Sequence, residues 1–425
     1  MALALAPVSA KAQDRAAKPS LLPAMPTLVF PSLSLPGNGH SDDAREFRAT
    51  ALRDLRDSGA FHLMSPSKTP GGADLMFRVV SHSLARGKLI IEGECINLAT
   101  GAVVLKKRFM GQTAVVDRMA HRMVDFLVGT VTGTPGVADS RIVVARAKAP
   151  GIKEIFGVDR DGRNLRQLTS FGSLTIHPAV ARDGRLAFVT YKGGPPQIWG
   201  QVKPSGPFQP LFPRTGEAGK ELSDLAWSTD GRRLCFVQEN RQGLADIHVL
   251  DPASGQVARI TEGHINRSPS WNPDGTALAF ISDREGTPQV FIMASDGSQV
   301  RRLTGDSAPK AFVAWNAKGD RIAYSSGADL FTIAPDGSSR QKLLSGPEPV
   351  AALCWAPDGR SLLLGLPAGR LRIATLDGKL QELSPGLDGQ WPQWIQNPAP
   401  VLARAQGDPF PPFPVPALLG AAPLP

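Results

Sequence analysis

The feature that most limits how this chain can fold is a repeated phrase: an apolar strand ending on an aromatic residue, then a tight turn closing on glycine. It stands as Ala226-Trp227-Ser-Thr-Asp230-Gly231, Ser270-Trp271-Asn-Pro-Asp274-Gly275, Ala314-Trp315-Asn-Ala-Lys318-Gly319 and Cys354-Trp355-Ala-Pro-Asp358-Gly359, with a weaker copy at Ala179-Val180-Ala-Arg-Asp183-Gly184. The turn glycines Gly184, Gly231, Gly275, Gly319 and Gly359 follow one another at 47, 44, 44 and 40 residues. A fixed period of this size marks an array of supersecondary units, none of which buries its apolar face alone.

A second turn recurs between these, at Asp161-Gly162, Ser205-Gly206, Ser254-Gly255, Asp296-Gly297, Asp336-Gly337 and Asp377-Gly378, and several copies run on into Leu-Thr or Ile-Thr. Asp-Gly between apolar runs signals a hairpin, because glycine accepts the positive φ such turns demand. Each unit thus holds four short strands, as at Ser270-Trp271, 277–281, 289–293 and 300–303. The second strands are near-continuous apolar runs, as expected of a sheet packed on both faces. Four-stranded units of this length indicate a β-propeller. Second strands begin near Arg141, Arg185, Arg233, Ala277, Arg321 and Ser361, which makes six blades. The one at Arg141 lacks a preceding Trp-type strand, and Gln390-Trp391-Pro-Gln-Trp394 supplies it from the far end. That closure leaves the ring without a gap between blades.

Residues 26–137 differ in character and predict a small α/β domain. After a strand at 26–32, Ser41 is placed to cap a helix with Asp42 and Asp43 in its first turn, where negative charge suits the helix dipole. Ala44, Phe47, Ala51 and Leu55 share one face, and Gly59 ends the helix. Strands follow at 75–81, 88–98 and 102–110, then a helix at 114–131 with Val116, Met119, Met123 and Leu127 as its apolar stripe. The expected organisation is an export-signal remnant and linker (1–25), the α/β domain (26–137), the propeller (138–395) and a Pro-rich disordered tail (396–425). Ala10-Lys11-Ala12 has the small-x-small form of a signal-peptidase site, but no basic segment precedes it. A shortened export signal is favoured over an Ala-rich tail.

No apolar run is long enough to span a membrane as a helix. The net charge of +9 and pI near 9.7 come from scattered Lys and Arg, densest at Lys106-Lys107-Arg108. This is no aromatic-interleaved basic stripe, so nucleic acid is not an expected partner. Cys95, Cys235 and Cys354 lie far apart in apolar stretches and are expected as buried hydrophobes, leaving no disulfide framework or zinc site. No two of the seven histidines stand at metal-ligand spacing. His121, beside an apolar helix stripe, is expected to make a structural hydrogen bond. There is no Gly-x-Ser-x-Gly elbow, Walker loop or dinucleotide fingerprint. Asp159-x-Asp161-Gly162 lacks the remaining ligands of a calcium loop and suits a hairpin turn. No cofactor is implied.

Two stretches outside the repeats carry a resemblance. Asp54-Leu-Arg-Asp-Ser-Gly-Ala-Phe61 closes the first helix, and Ala120-His121-Arg-Met-Val-Asp125 with Thr132-Gly133-Thr-Pro-Gly136 and Ser140-Arg141-Ile142 joins the second helix to the propeller. Together with Asp159-Arg-Asp-Gly162 through Leu168-Thr169, these make residues 26–395 resemble the TolB family. The resemblance implies a monomeric, non-catalytic periplasmic protein that binds the Pal lipoprotein through one propeller face. It also implies contact with inner-membrane Tol proteins through the N-terminal segment, and support of envelope integrity and cell division. The Pro-rich tail and the Ala/Pro/Leu-rich segment 13–25 depart from the family pattern.

In a propeller, the loops leading into the innermost strands surround the axial channel. Here they are 173–177, 216–223, 263–268, 305–310 and 346–349. His177, Glu217, Lys220, Glu221, His264, Asn266 and Arg267 are the candidate partner-binding residues, the last six expected to be exposed. In the family, Pal-contacting positions match 216–223 and 263–268. The competing reading is a propeller enzyme or carbohydrate-binding protein that uses the same channel mouth.

Overall fold

The computed structural model describes residues 25–30, 41–64, 72–85, 88–134, 136–213, 221–383 and 387–396. The proposed export signal, Glu217, Lys220 and the Pro-rich tail lie outside the described residues. The chain divides into two compact units between Pro135 and Gly136.

In the first unit, helix α1 (Ser41–Asp57) and helix α2 (Val116–Thr132) pack with a five-stranded sheet. Its strands are β1 (Thr27–Val29), β2 (His62–Met64), β3 (Leu75–Ala85), β4 (Lys88–Asn97) and β5 (Val103–Gly111), in the order β2-β1-β3-β4-β5. The predicted apolar faces are the buried ones: Ala44, Phe47, Ala51 and Leu55 from α1, Val116, Met119, Met123 and Leu127 from α2. A 3-10 turn (Thr113–Val115) precedes α2, so its α-helical start lies after the expected Ala114. His121 finds its partner across the helices: its Nδ1 is 2.6 Å from Asp54 Oδ2, and both side chains are buried. The two stretches that carry the family resemblance thus meet in one hydrogen bond.

The second unit holds six four-stranded sheets. Blades 1 to 5 cover 175–212, 221–259, 266–302, 313–345 and 352–382, each running in chain order from inner to outer strand. Blade 6 takes its outer three strands from 140–167 and its inner strand from Gln390–Gln396. That strand pairs antiparallel with Ser140–Ala149, setting Trp394 opposite Ile142 and Gln393 opposite Val143. The predicted closure by the last strand is therefore the observed one. The inner strands also contact one another in sequence, and that of blade 5 meets Gln390–Gln396, which completes the ring.

The repeated phrase explains itself at the blade seams. Each turn glycine has positive φ and donates its N–H back three residues, as Gly231 does to Ser228 O and Gly275 to Asn272 O. The tryptophan indole reaches the neighbouring blade: Trp227 Nε1 donates to Ala179 O, Trp271 Nε1 to Ala226 O and Trp355 Nε1 to Ala314 O. Arg185 and Arg233 lie over the rings of Trp227 and Trp271 at 4.7 and 4.6 Å and donate to the turn carbonyls of Gly231 and Gly275. The Leu-Thr phrase has its own role. Thr169, Thr261 and Thr304 accept a hydrogen bond through Oγ1 from Ile155, Ile247 and Val290 N–H, and donate to Glu154, Asp246 and Gln289. Each fixes the outer strand to the third strand of its blade. The Asp159–Gly162 segment is a turn whose Asp159 carboxylate accepts from Arg141 Nε and Asn164 Nδ2.

Candidate functional site

Four of the six inner strands are interrupted three residues before the position of the repeat's aromatic residue, occupied by Val180, Trp227, Trp271 or Trp394. The ladder register slips between Ile176 and Ala179, Ser223 and Ala226, Arg267 and Ser270, and Gln390 and Gln393. Within each slip sits a non-glycine residue of positive φ: His177 at 48°, Asp224 at 50°, Ser268 at 54° and Trp391 at 50°. That conformation is uncommon for non-glycine residues, least at home with a bulky one, and bulges re-aim the side chain they carry. Its recurrence at one level of the ring makes this the candidate site.

The re-aimed side chains connect neighbouring blades. Trp391 and His177 rings stand 4.4 Å apart, and Lys153 Nζ lies 5.3 Å from the Trp391 ring while donating to Gln390 Oε1. His177 Nδ1 accepts the Asp224 N–H at 3.3 Å, which leaves its proton on Nε2 when the ring is neutral. Asp224 Oδ2 accepts the Ser268 N–H at 2.9 Å, and Ser268 Oγ accepts the Val313 N–H at 3.1 Å. Burial pushes the His177 pKa down to about 4; the Asp224 carboxylate pulls the other way, while Arg267 and Lys153 add to the fall. His177 is thus neutral near pH 7.

Around this relay lie the charged groups. Arg267 Nη2 donates to Glu239 Oε2 at 2.6 Å. Glu221 sits opposite Glu239 in the ladder and is half-buried. It acts on Tyr191, whose hydroxyl pKa is raised by burial and then by that carboxylate. His264 is 43% exposed on its side chain, with Nδ1 3.8 Å from Asp283 Oδ1.

The sequence-predicted residues therefore separate. His177 belongs to the relay, Arg267 and Glu221 flank it, and His264 stands in the loop beyond. Asn266 is a correction: expected in an exposed loop, it opens the inner strand Asn266–Trp271 at 0% exposure. Its Nδ2 donates to Ala245 O and Asp246 Oδ1, and its Oδ1 accepts from Arg284 Nη2. A buried amide needs such partners, and the loop and strand that supply them are distant in sequence. Asp224, Ser268 and Trp391 were missed as site residues. The signal was present in the repeat, since His177, Asp224, Ser268 and Trp391 each stand three residues before Val180, Trp227, Trp271 and Trp394.

Comparison with known proteins agrees with this architecture. A family model described as the TolB beta propeller domain matches residues 128–397. A "Protein TolB homolog" of Chlorobium chlorochromatii is 32% identical over 216 residues, covering 50% of this chain and 47% of that protein. A "Tol-Pal system protein TolB" of Desulfosudis oleivorans is 28% identical over 223 residues, covering 52% of this chain and 40% of that protein. The chain spans about half the length of the curated relatives it matches. The crystal structure of TolB from Acinetobacter baumannii shares the fold, with a TM-score of 0.72 at 20% identity over 87% of this chain and 96% of that one. With most of its length inside the family model, the chain belongs to the TolB β-propeller family.

Proposed function

We propose that this chain is a non-catalytic binding scaffold of the periplasmic Tol-Pal system, taking the Pal lipoprotein at the channel mouth. The observation that carries the reading is the relay from Trp391 through His177 and Asp224 to Ser268, held at one level of a TolB-family propeller by strained bulges. A surface prepared in this way loses little freedom on binding, which favours recognition by a rigid partner. Support also comes from relatives named as Tol-Pal system proteins. On this reading the protein works as a monomer, meets inner-membrane Tol proteins through its N-terminal segment, and supports envelope integrity and division.

Calorimetric titration with the soluble domain of Pal tests the proposal. Binding is expected, and charge reversal at Lys220 together with Arg267 should weaken it about tenfold or more, a loss of about 1.4 kcal/mol. Unchanged binding by a folded double variant discards this face. A glycan-binding and cleavage screen gives the opposing arm: a hit abolished by Trp391→Ala, with no Pal binding, would favour the carbohydrate reading.

A further inference from the structure

The protein treats its sheet edges in two ways. The outer blade strands are short: Arg166–Gln167, Gln209–Phe212, Val257–Arg259, Arg301–Arg302, Gln341–Ser345 and Leu380–Glu382. In the first unit, β2 at the far edge has three residues. Short edges offer a poor template for pairing with another chain. Among the described residues β5 is the exception, with nine residues and no proline. It pairs with β4 on one side only, and its single register shift lies at its start; from Cys95↔Leu105 to Leu89↔Gly111 the ladder runs in step. Among the described residues, no strand pairs with its other side.

The side chains along this edge are apolar and basic together. Val103 is 54% exposed, Met110 56%, and Phe126 on neighbouring α2 45%. Phe109 and Phe126 rings lie 6.2 Å apart, with Lys107 Nζ 4.5 Å from the Phe126 ring. Lys106 and Arg108 are exposed on the opposite face of the strand, Lys106 bonded to Glu92 at 2.9 Å. Lysine on an edge is a familiar guard against self-pairing, and here it opposes pairing with a second basic β5. A guard does not account for exposed Val103, Met110 and Phe126. A long regular edge, an aromatic surface and three consecutive basic residues suit strand addition, in which main-chain hydrogen bonds bind and side chains select.

We propose that β5 is a strand-addition site that takes an extended acidic segment of a partner protein as the sixth strand of the sheet. An apolar side chain of that segment rests on Phe109 and Phe126, and alternate carboxylates meet Lys106 and Arg108. The site is independent of the channel mouth.

The test uses the full chain and a fluorescent peptide as long as β5, alternating glutamate with valine, at low ionic strength where charge pairs are least screened. Hydrogen–deuterium exchange reads the amides of residues 105–111. The acidic peptide is expected to bind and to slow their exchange, while a peptide alternating lysine with valine does neither. Lys106→Glu with Arg108→Glu, and separately Phe126→Ser, should weaken binding about tenfold or more, whereas His177→Ala leaves it unchanged. Equal binding by the lysine peptide, absence of binding at about 1 mM, or protection outside β5 overturns the proposal. The exchange footprint on the unmodified chain keeps the test decisive even if the double variant fails to fold.

Discussion

The inner strands of the propeller are alike at one end and unlike at the other. At the turn end, five copies close through the same glycine N–H to carbonyl bond, and three tryptophan indoles donate to the backbone of the neighbouring inner strand. At the mouth end, three residues earlier, the equivalent positions hold His177, Asp224, Ser268, Phe312, Ala352 and Trp391. Every seam has to pack one inner strand against the next, and at three of them the same indole-to-carbonyl bond does so, which is why the sequence repeats there. Nothing in the closure requires one residue type at the mouth, and four of these positions adopt a backbone conformation that non-glycine residues avoid. The turn end makes the ring; the mouth end is where its inner strands differ from one another.

The comparison breaks most visibly at the closing strand. Trp394 is buried, its Nε1 donating to Ser140 Oγ at 2.8 Å. Trp394→Ala should destabilise by about 3–5 kcal/mol, the range for a buried aromatic truncated to alanine. Denaturant unfolding followed by circular dichroism measures it. A loss below about 1 kcal/mol would show that closure does not depend on this seam.

The next largest effect belongs to the mouth and depends on pH. His177 has an ordinary pKa of 6.5 and a folded value of about 4. Between these values the unfolded chain binds a proton that the folded one does not, so stability falls as pH drops from about 6.5 to about 4 and then levels. The fall attributable to this group is on the order of 3 kcal/mol. His177→Gln should flatten that part of the stability profile, measured by urea unfolding at several pH values. Parallel profiles for the two proteins would remove His177 from the account.

A smaller loss is expected at one turn. Gly231 has φ of +68°, and a Cβ there would lie 2.5 Å from Arg185 Nη2. Gly231→Ala should lower stability by about 1–2 kcal/mol, the cost of a left-handed L-residue, while Pal binding stays as it was. A thermal melt and a titration read the two halves of this statement. A binding loss without a melt change would reverse the assignment of the two ends.

The difference between the ends also sets what the sequence could tell. The blades were legible because Asp-Gly turns and strand-end tryptophans are local signals, and the closing strand was legible because one blade lacked its own copy. The first unit was legible through the periodic stripes of Phe47, Ala51 and Leu55, and of Met119, Met123 and Leu127. Asn266 was misread because it was placed with the polar residues of the 263–268 loop leading into an inner strand, whereas it opens that strand and its amide is satisfied by Ala245 O and Arg284. Asp224 and Ser268 were missed as site residues because the repeat gives only their spacing from the strand-end tryptophan, whereas a bulge depends on register, which alternation within one strand does not specify. His121 was read as structural, but its partner Asp54, 67 positions away, needed the packing of two helices to be found.

The finest test compares two hydroxyls on one strand. Ser270 Oγ accepts the Trp315 N–H at 2.9 Å, and Ser268 Oγ accepts the Val313 N–H at 3.1 Å, so blades 3 and 4 are joined twice by the same device. At this seam Trp315 Nε1 donates to its own turn at Gly319 O, unlike Trp227, Trp271 and Trp355, and the Ser270 hydroxyl supplies a side-chain link between the strands. Ser270→Ala and Ser268→Ala should each cost about 1 kcal/mol, the net worth of one hydrogen bond. Only Ser268→Ala should also weaken Pal binding, because Ser268 Oγ ties to Val313 the bulge whose backbone N–H holds the Asp224 carboxylate beside His177. Equal effects of the two alanines on affinity would mean that the mouth and the turn end act as one surface, and the division between them would fail.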